Sequence, residues 1–199
     1  MPRWPPERSK GRDVREAGVN LGWVLSEVAA DLHGRLVGAD ATIERVSTDS
    51  REDLDGALFV AVRGERFDGN TFAASAIDGG AVAVVVDADA GVDVEPRIEV
   101  AGTADALLDL AAKRRRELTV PVVAITGSTG KTSTKDLISA GIEGAWASPR
   151  SFNNEVGVPL TVLATPRDAT ALILEVGSRG TGHIEWLSRA IAPDVAVVT

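Results

Sequence analysis

The chain has 199 residues, 44% of them hydrophobic and 25% charged, which is ordinary globular material for one or two domains. Its net charge of −8 argues against bulk binding of nucleic acid or of an anionic membrane. The absence of cysteine excludes disulfides, thiolate metal sites and thiol nucleophiles, and fits a cytoplasmic protein.

No apolar run approaches the roughly 18 residues of a membrane helix. Residues 1–20, MPRWPPERSKGRDVREAGVN, carry five Lys or Arg against three Asp or Glu, and three prolines. They lack the apolar stretch of a signal peptide and read as a disordered tail. From Leu21 the spacing of Leu21, Val24, Leu25, Val28 and Leu32 predicts a helix that stops at Gly34. The pieces RLVG, TIERVSTDS and ALFVAVRG read as strands, TFAASAIDGG as a short helix, and AVAVVVD as a buried strand. After RIEV a helix is predicted from about Thr103 to Leu118. It closes on Lys113, Arg114, Arg115 and Arg116, cations that complement a helix C-terminus rather than mark a nucleic-acid patch.

The strand PVVAIT, a Gly-rich loop, the helix KTSTKDLISAGI, the segment SFNNEVGVPLTVLA, the strand ALILEVG, the helix GHIEWLSRAI and the strand DVAVVT follow in order. This alternation predicts an α/β fold with a parallel sheet. The last strand has no loop at its C-terminal end, where such sheets carry their sites, so the chain reads as cut short, with an unpaired edge strand.

The stretch VVAITGSTGKTSTKDLI carries the chemistry. A buried β-branched strand leads through Gly127, Ser128, Thr129 and Gly130 into a helix beginning near Lys131. The helix-start amides and dipole favour a polyphosphate, and the glycines let the backbone approach it. Lys131 is then the candidate catalytic cation at the β- and γ-phosphates, and Thr132 a candidate Mg²⁺ ligand, with Ser133 beside it. The spacing G-x-x-G-K-T is shorter than the common G-x-x-x-x-G-K-[ST], which disfavours GTPases and small-molecule kinases. Glu175, at the C-terminal end of a parallel strand, is the second candidate Mg²⁺ ligand.

ITGSTGKTS resembles the ATP loop of the Mur ligases, and STDSREDLDGALFVAVRGERFDGNTF (47–72) resembles their first domain. SFNNEVGVPLTVL (151–163) and ILEVGSRGTGHIEWL (173–187) resemble the branch of that family that adds D-alanyl-D-alanine. The resemblance implies a small N-terminal α/β domain over 21–101 for the UDP end of a substrate. It also implies a P-loop-type ATP-binding domain, incomplete, over 102–199. It further implies ATP and Mg²⁺ as cofactors, and UDP-N-acetylmuramoyl-tripeptide and D-alanyl-D-alanine as partners, joined through an acyl phosphate. Ser50 and Arg51, in D-S-R, and Asn153 and Asn154, in N-N-E, become candidate substrate contacts. The family's Ala-His loop, its carbamylated lysine and its C-terminal domain are not in this sequence, so the chain is expected to be inactive alone. Two further readings stand: a non-catalytic module that binds UDP-muramyl peptide or ATP, and another Mur-type ligase. An unrelated P-loop ATPase is disfavoured by residues 47–72.

The chain departs from the family pattern in two places. Asn70 replaces a frequent His, and Arg179-Gly180 replaces a frequent Asn-His. His33 and His183 read as structural or surface residues with no metal role. Trp23, Trp146 and Trp186 read as core or interface packing.

Overall fold

The computed structural model describes residues 19–64, 67–149 and 152–199; the tail expected over 1–20 lies almost wholly outside them. In chain order the first half comprises β1 (Trp23–Val24), α1 (Leu25–Asp31), β2 (Arg35–Val37), β3 (Thr42–Ile43), β4 (Arg45–Ser47), β5 (Ala57–Val60), β6 (Arg63–Gly64) and β7 (Phe67–Asp68). A 3₁₀ turn (Gly69–Phe72), α2 (Ala73–Asp78), β8 (Ala83–Asp87) and β9 (Arg97–Val100) complete it.

The main sheet has the order β2-β9-β8-β5-β4, parallel except for β2. β5 and β8 are buried along their whole length because both faces are covered. Leu58, Val60, Ala83 and Val85 join the main core beside α1. Ala57, Phe59, Val84 and Val86 pack with Ala73 and Ala76 of α2.

The helix expected from Leu21 begins only at Leu25. Trp23 and Val24 pair instead with Ile43 and Thr42, and the amides of Leu21 and Leu25 donate to the carbonyls of Glu44 and Ala41. Gly22, at φ +64°, makes the turn that allows it.

The second half begins with α3 (Thr103–Glu117) and β10 (Val122–Thr126), then α4 (Lys131–Gly141), β11 (Ala145–Ala147), α5 (Gly157–Leu163), β12 (Ala171–Glu175), α6 (His183–Ile191) and β13 (Val195–Val198). Its sheet, β11-β12-β10-β13, is wholly parallel. Ile125, Ala171 and Ile173 face Ile138 of α4. Val122, Leu172 and Leu174 face the main core, together with Leu107, Val158 and Leu187 from α3, α5 and α6. β13 is an edge strand in which Val195 and Val198 are 50% and 78% exposed.

α3 joins the halves. Trp23 donates its indole N–H to Glu117 (2.7 Å), and Lys113 reaches Asp31 (2.6 Å) across the Trp23 ring. Buried Arg114 donates to Glu117 and to the Thr165 carbonyl (2.8 Å), and Arg115 donates to the Ile191 and Ala192 carbonyls and to Asp194. Three cations of the run are thus interlocks between elements. Their role is tertiary docking and not only complementing the helix dipole.

α3 also runs alongside α6 in the same direction: Asp105 accepts from Trp186 (2.9 Å), Asp109 from Arg189, and Arg115 meets Ile191. The start of α3 adjoins Asp87 at the end of β8, and the start of α6 follows the loop after β12. The C-terminal edges of both parallel sheets therefore lie at one end of the molecule, the position where such sheets bind ligands.

Candidate functional site

β10 delivers the chain into the loop Gly127–Gly130, and α4 starts at Lys131. Gly130 caps α4 in the left-handed conformation (φ 80°), and the Thr134 amide donates to its carbonyl. A Cβ on Gly127 (φ 139°) would sit 2.8 Å from the Thr199 backbone nitrogen, so backbone on the far side admits no side chain there. Ser128, Thr129, Gly130, Thr132 and Ser133 are exposed around the start of the helix, whose first amides lack intrahelical acceptors. Lys131 folds back across the loop and donates to the Gly127 carbonyl (2.7 Å). Its ammonium thus lies over the ground a phosphate would occupy.

Glu175 closes the other side. It ends β12 at 2% exposure, and its Oε2 accepts from Thr132 Oγ1 (2.8 Å) and its Oε1 from Asn153 Nδ2 (2.8 Å). Among the described residues its hydrogen-bond donors are neutral, so a buried carboxylate faces the phosphate loop with no protein cation beside it. That environment fits a divalent cation, and the oxygen donors of Thr132 and Glu175 suit Mg²⁺. Among the described residues no cluster of three or more His, Asp or Glu forms a protein cage, so phosphates and water would complete the shell of Mg²⁺.

The two asparagines divide. Asn153 turns to Glu175, and its carbonyl accepts the Gly177 amide (2.7 Å). Asn154 Oδ1 accepts the amides of Gly157 (2.8 Å) and Val156, so its carboxamide holds the entrance of α5. Asn154→Ala is expected to cost about 1 kcal/mol of stability, and a melting curve matching wild type would remove that capping role. Ser148 and Lys135 belong to the site's support and had no signal in the sequence beyond the i, i+4 relation of Lys131 and Lys135. Ser148 Oγ accepts the Glu175 amide (3.2 Å), and buried Lys135 donates to the Ser148 carbonyl (2.9 Å). At the departure from the family pattern, Arg179 pairs with Glu155 and donates its backbone N–H to His183 Nδ1 (3.1 Å). His183 Nε2 lies 3.9 Å from Glu155, so the histidine braces this loop.

At the edge of the first sheet, Arg51 makes a two-pronged pair with Asp49 (2.7 Å each) that presents its guanidinium to solvent at 86% exposure, with Ser50 half-buried beside it. Asn70 faces inward, donating to Asp68 and Asp87 (2.7 Å each) and accepting the Asp87 amide. Asp87 in turn accepts the Thr103 amide (3.1 Å), placing a carboxylate at the start of α3. The asparagine that replaces the family's histidine is therefore a buried clasp. Asn70 holds the Asp68 carboxyl below its ordinary range, chiefly through the side-chain hydrogen bond.

Fold and loop define a parallel α/β phosphate-loop protein with a second sheet opening to the same side. The chain belongs to the Mur ligase family: residues 42–126 match the model described as Mur ligase family, catalytic domain, and residues 125–199 match the Mur ligase middle domain. It is 38% identical over 177 residues to the UDP-N-acetylmuramoyl-tripeptide–D-alanyl-D-alanine ligase of Escherichia coli (strain K12), covering 87% of this chain and 39% of that one. It is also similar to the structure of UDP-N-acetylmuramoylalanyl-D-glutamyl-2,6-diaminopimelate–D-alanyl-D-alanyl ligase from Acinetobacter baumannii. There the TM-score is 0.79 at 30% identity, over 90% of this chain and 42% of the other. The MurF ligase from Thermotoga maritima in complex with ADP matches with TM-score 0.69 at 33% identity, over 77% of this chain and 36% of the other. The chain spans about two fifths of the length of these relatives.

Proposed function

We propose that the chain forms the substrate-binding and nucleotide-binding part of an ATP-dependent amide ligase of peptidoglycan-precursor synthesis. The reaction joins D-alanyl-D-alanine to UDP-N-acetylmuramoyl-tripeptide, with release of ADP and phosphate. The observation that carries this reading is the pairing of Thr132 on the phosphate loop with the buried Glu175, braced by Asn153 of the N-N-E segment. The names of the relatives, and the ADP held by one of them, agree with it.

In this reading the loop amides and Lys131 take the phosphates of ATP, Lys131 exchanging the Gly127 carbonyl for phosphate oxygens. Thr132 and Glu175 would hold Mg²⁺, which when bound offsets the charge of the phosphates. The terminal carboxylate of the tripeptide takes the γ-phosphoryl group to give an acyl phosphate and ADP. The amine of D-alanyl-D-alanine then forms the amide and expels phosphate. Ser50 and Arg51 lie at the same end of the molecule, where an exposed guanidinium suits the diphosphate of the UDP end. The chain's part is positioning and charge neutralisation. ATP and a UDP-linked substrate place the reaction in the cytoplasm. Its product serves the cell wall, and through it cell shape and division. Among the described residues no helix is long and apolar enough to cross a membrane.

Calorimetric titration tests the reading. The chain is expected to bind UDP-N-acetylmuramoyl-tripeptide and MgADP at separate sites, so that saturation with one leaves a site for the other. Binding of ADP with no response to any UDP-muramyl peptide would instead indicate a nucleotide-binding protein of other purpose.

A further inference from the structure

Lys135 is a lysine at 3% exposure that phosphate binding does not use. It stands one helical turn after Lys131, on the inner side of α4, and its ammonium donates to the Ser148 carbonyl (2.9 Å) and lies 3.3 Å from the exposed carboxylate of Asp136. Burying an ammonium is costly unless what it holds repays it. What it holds is a junction. β11 pairs with β12 as far as Ala147 opposite Ile173, and the Ser148 amide extends that ladder to the Ile173 carbonyl (3.0 Å). There the main chain leaves the sheet toward Asn153. The Ser148 side chain replaces the next ladder partner, accepting the Glu175 amide (3.2 Å), while its own carbonyl turns to α4. Ser148 itself is 2% exposed, so without Lys135 that carbonyl would lose a buried partner.

A hydrogen-bonded path thus runs from Lys135 through Ser148 to Glu175, and on to Thr132, the second residue of the helix that carries Lys135. The loop closes on itself: α4 supplies both the hydroxyl that touches the carboxylate and the ammonium that fixes the backbone beneath it. We propose that Lys135 is a positioning residue for Mg²⁺-nucleotide binding, setting through Ser148 where the Glu175 carboxylate stands. The proposal rests on the nucleotide site assigned above and gives a role to a residue outside the phosphate loop. Groups behind a metal ligand tune its affinity for the ion, and Lys135 stands two hydrogen bonds behind Glu175, through the carbonyl and the hydroxyl of Ser148.

The test compares Lys135→Met, Lys135→Arg and Ser148→Ala with the wild-type chain. ADP affinity is measured in EDTA and in Mg²⁺, and Mn²⁺ bound with ADP is counted by electron paramagnetic resonance. Lys135→Met and Ser148→Ala are expected to reduce the gain in ADP affinity that the divalent ion confers about tenfold, while affinity in EDTA stays at the wild-type value. Lys135→Arg, which keeps a charged donor, recovers most of the gain. With no nucleotide or metal present, amide exchange at Glu175 is expected to quicken in Lys135→Met. Equal losses in EDTA and Mg²⁺ would show that Lys135 only supports the fold, and unchanged affinities would show that it supports neither; each overturns the proposal. If Lys135→Met does not fold, the other two variants decide by the same criterion. A wild-type chain that binds no ADP brings down the nucleotide site itself and this proposal with it, an outcome distinct from normal wild-type binding with insensitive variants.

Discussion

Lys131→Ala is expected to weaken ADP binding by about 10- to 100-fold, the scale of losing one hydrogen bond to a charged group. Binding of UDP-N-acetylmuramoyl-tripeptide should be unchanged. The structure gives the reason for both halves. Lys131 is the first residue of α4 and its ammonium already crosses the loop to the Gly127 carbonyl, 2.7 Å away, so no rearrangement of the helix is needed for it to meet a phosphate. The course of the loop is set by the positive φ of Gly127 and Gly130, and the lysine side chain touches it only at the Gly127 carbonyl. The residues assigned to the UDP end follow β4, in a different sheet. Isothermal titration of wild type and variant with each ligand reads both effects. An ADP affinity within a factor of two of wild type would take the phosphate role away from Lys131, whereas loss of both ligands together would point to misfolding.

The parts of this site legible in the sequence are those whose chemistry is local. Strand, glycines, Lys131 and Thr132 are consecutive, and a phosphate loop needs them in that order. Glu175 was legible from its place at the end of a buried parallel strand, and the structure brings it to 2.8 Å from the Thr132 hydroxyl. What was not legible depends on partners far along the chain. Asn153 and Asn154 are adjacent and chemically identical, and only the turn into α5 decides that the first faces Glu175 while the second caps the helix. Asn70 finds Asp87 17 residues away, and nothing in the local sequence shows that the asparagine standing for a frequent histidine is a buried clasp. Leu21 to Val24 have helical spacing, but pairing with residues 41–44 competes with the helix and holds them extended. The run Lys113–Arg116 reads as a helix end, yet its first three members reach Asp31, Thr165, Ile191 and Asp194 beyond the helix. Periodicity carries no information about those contacts.

Arg114 carries the largest stability prediction. Its side chain is almost wholly buried between the C-terminal end of α3 and the segment that follows α5. Its two terminal nitrogens donate to Glu117 (3.0 Å) and to the carbonyl of Thr165 (2.8 Å), a residue at 0% exposure; among the described residues Nε has no partner. Truncation to alanine removes both bonds, strands the Thr165 carbonyl and opens a cavity. Glu117 fares better, because it retains the Trp23 indole and is 35% exposed. The cost of Arg114→Ala is therefore expected near the lower end for a broken buried pair, about 3 kcal/mol. For a domain of this size that lowers the melting temperature by about 6–12 °C. Arg114→Met refills the volume and removes the charge without the cavity, and is expected to cost about half as much. The order alanine worse than methionine, read by thermal melting followed with circular dichroism, separates packing from charge. Should methionine prove as damaging as alanine, the hydrogen bond to Thr165 would outweigh the packing of the side chain. An alanine variant that melts with wild type would mean that the apolar face of α3 and its other polar contacts suffice, and that the arginine is dispensable to the docking of the helix.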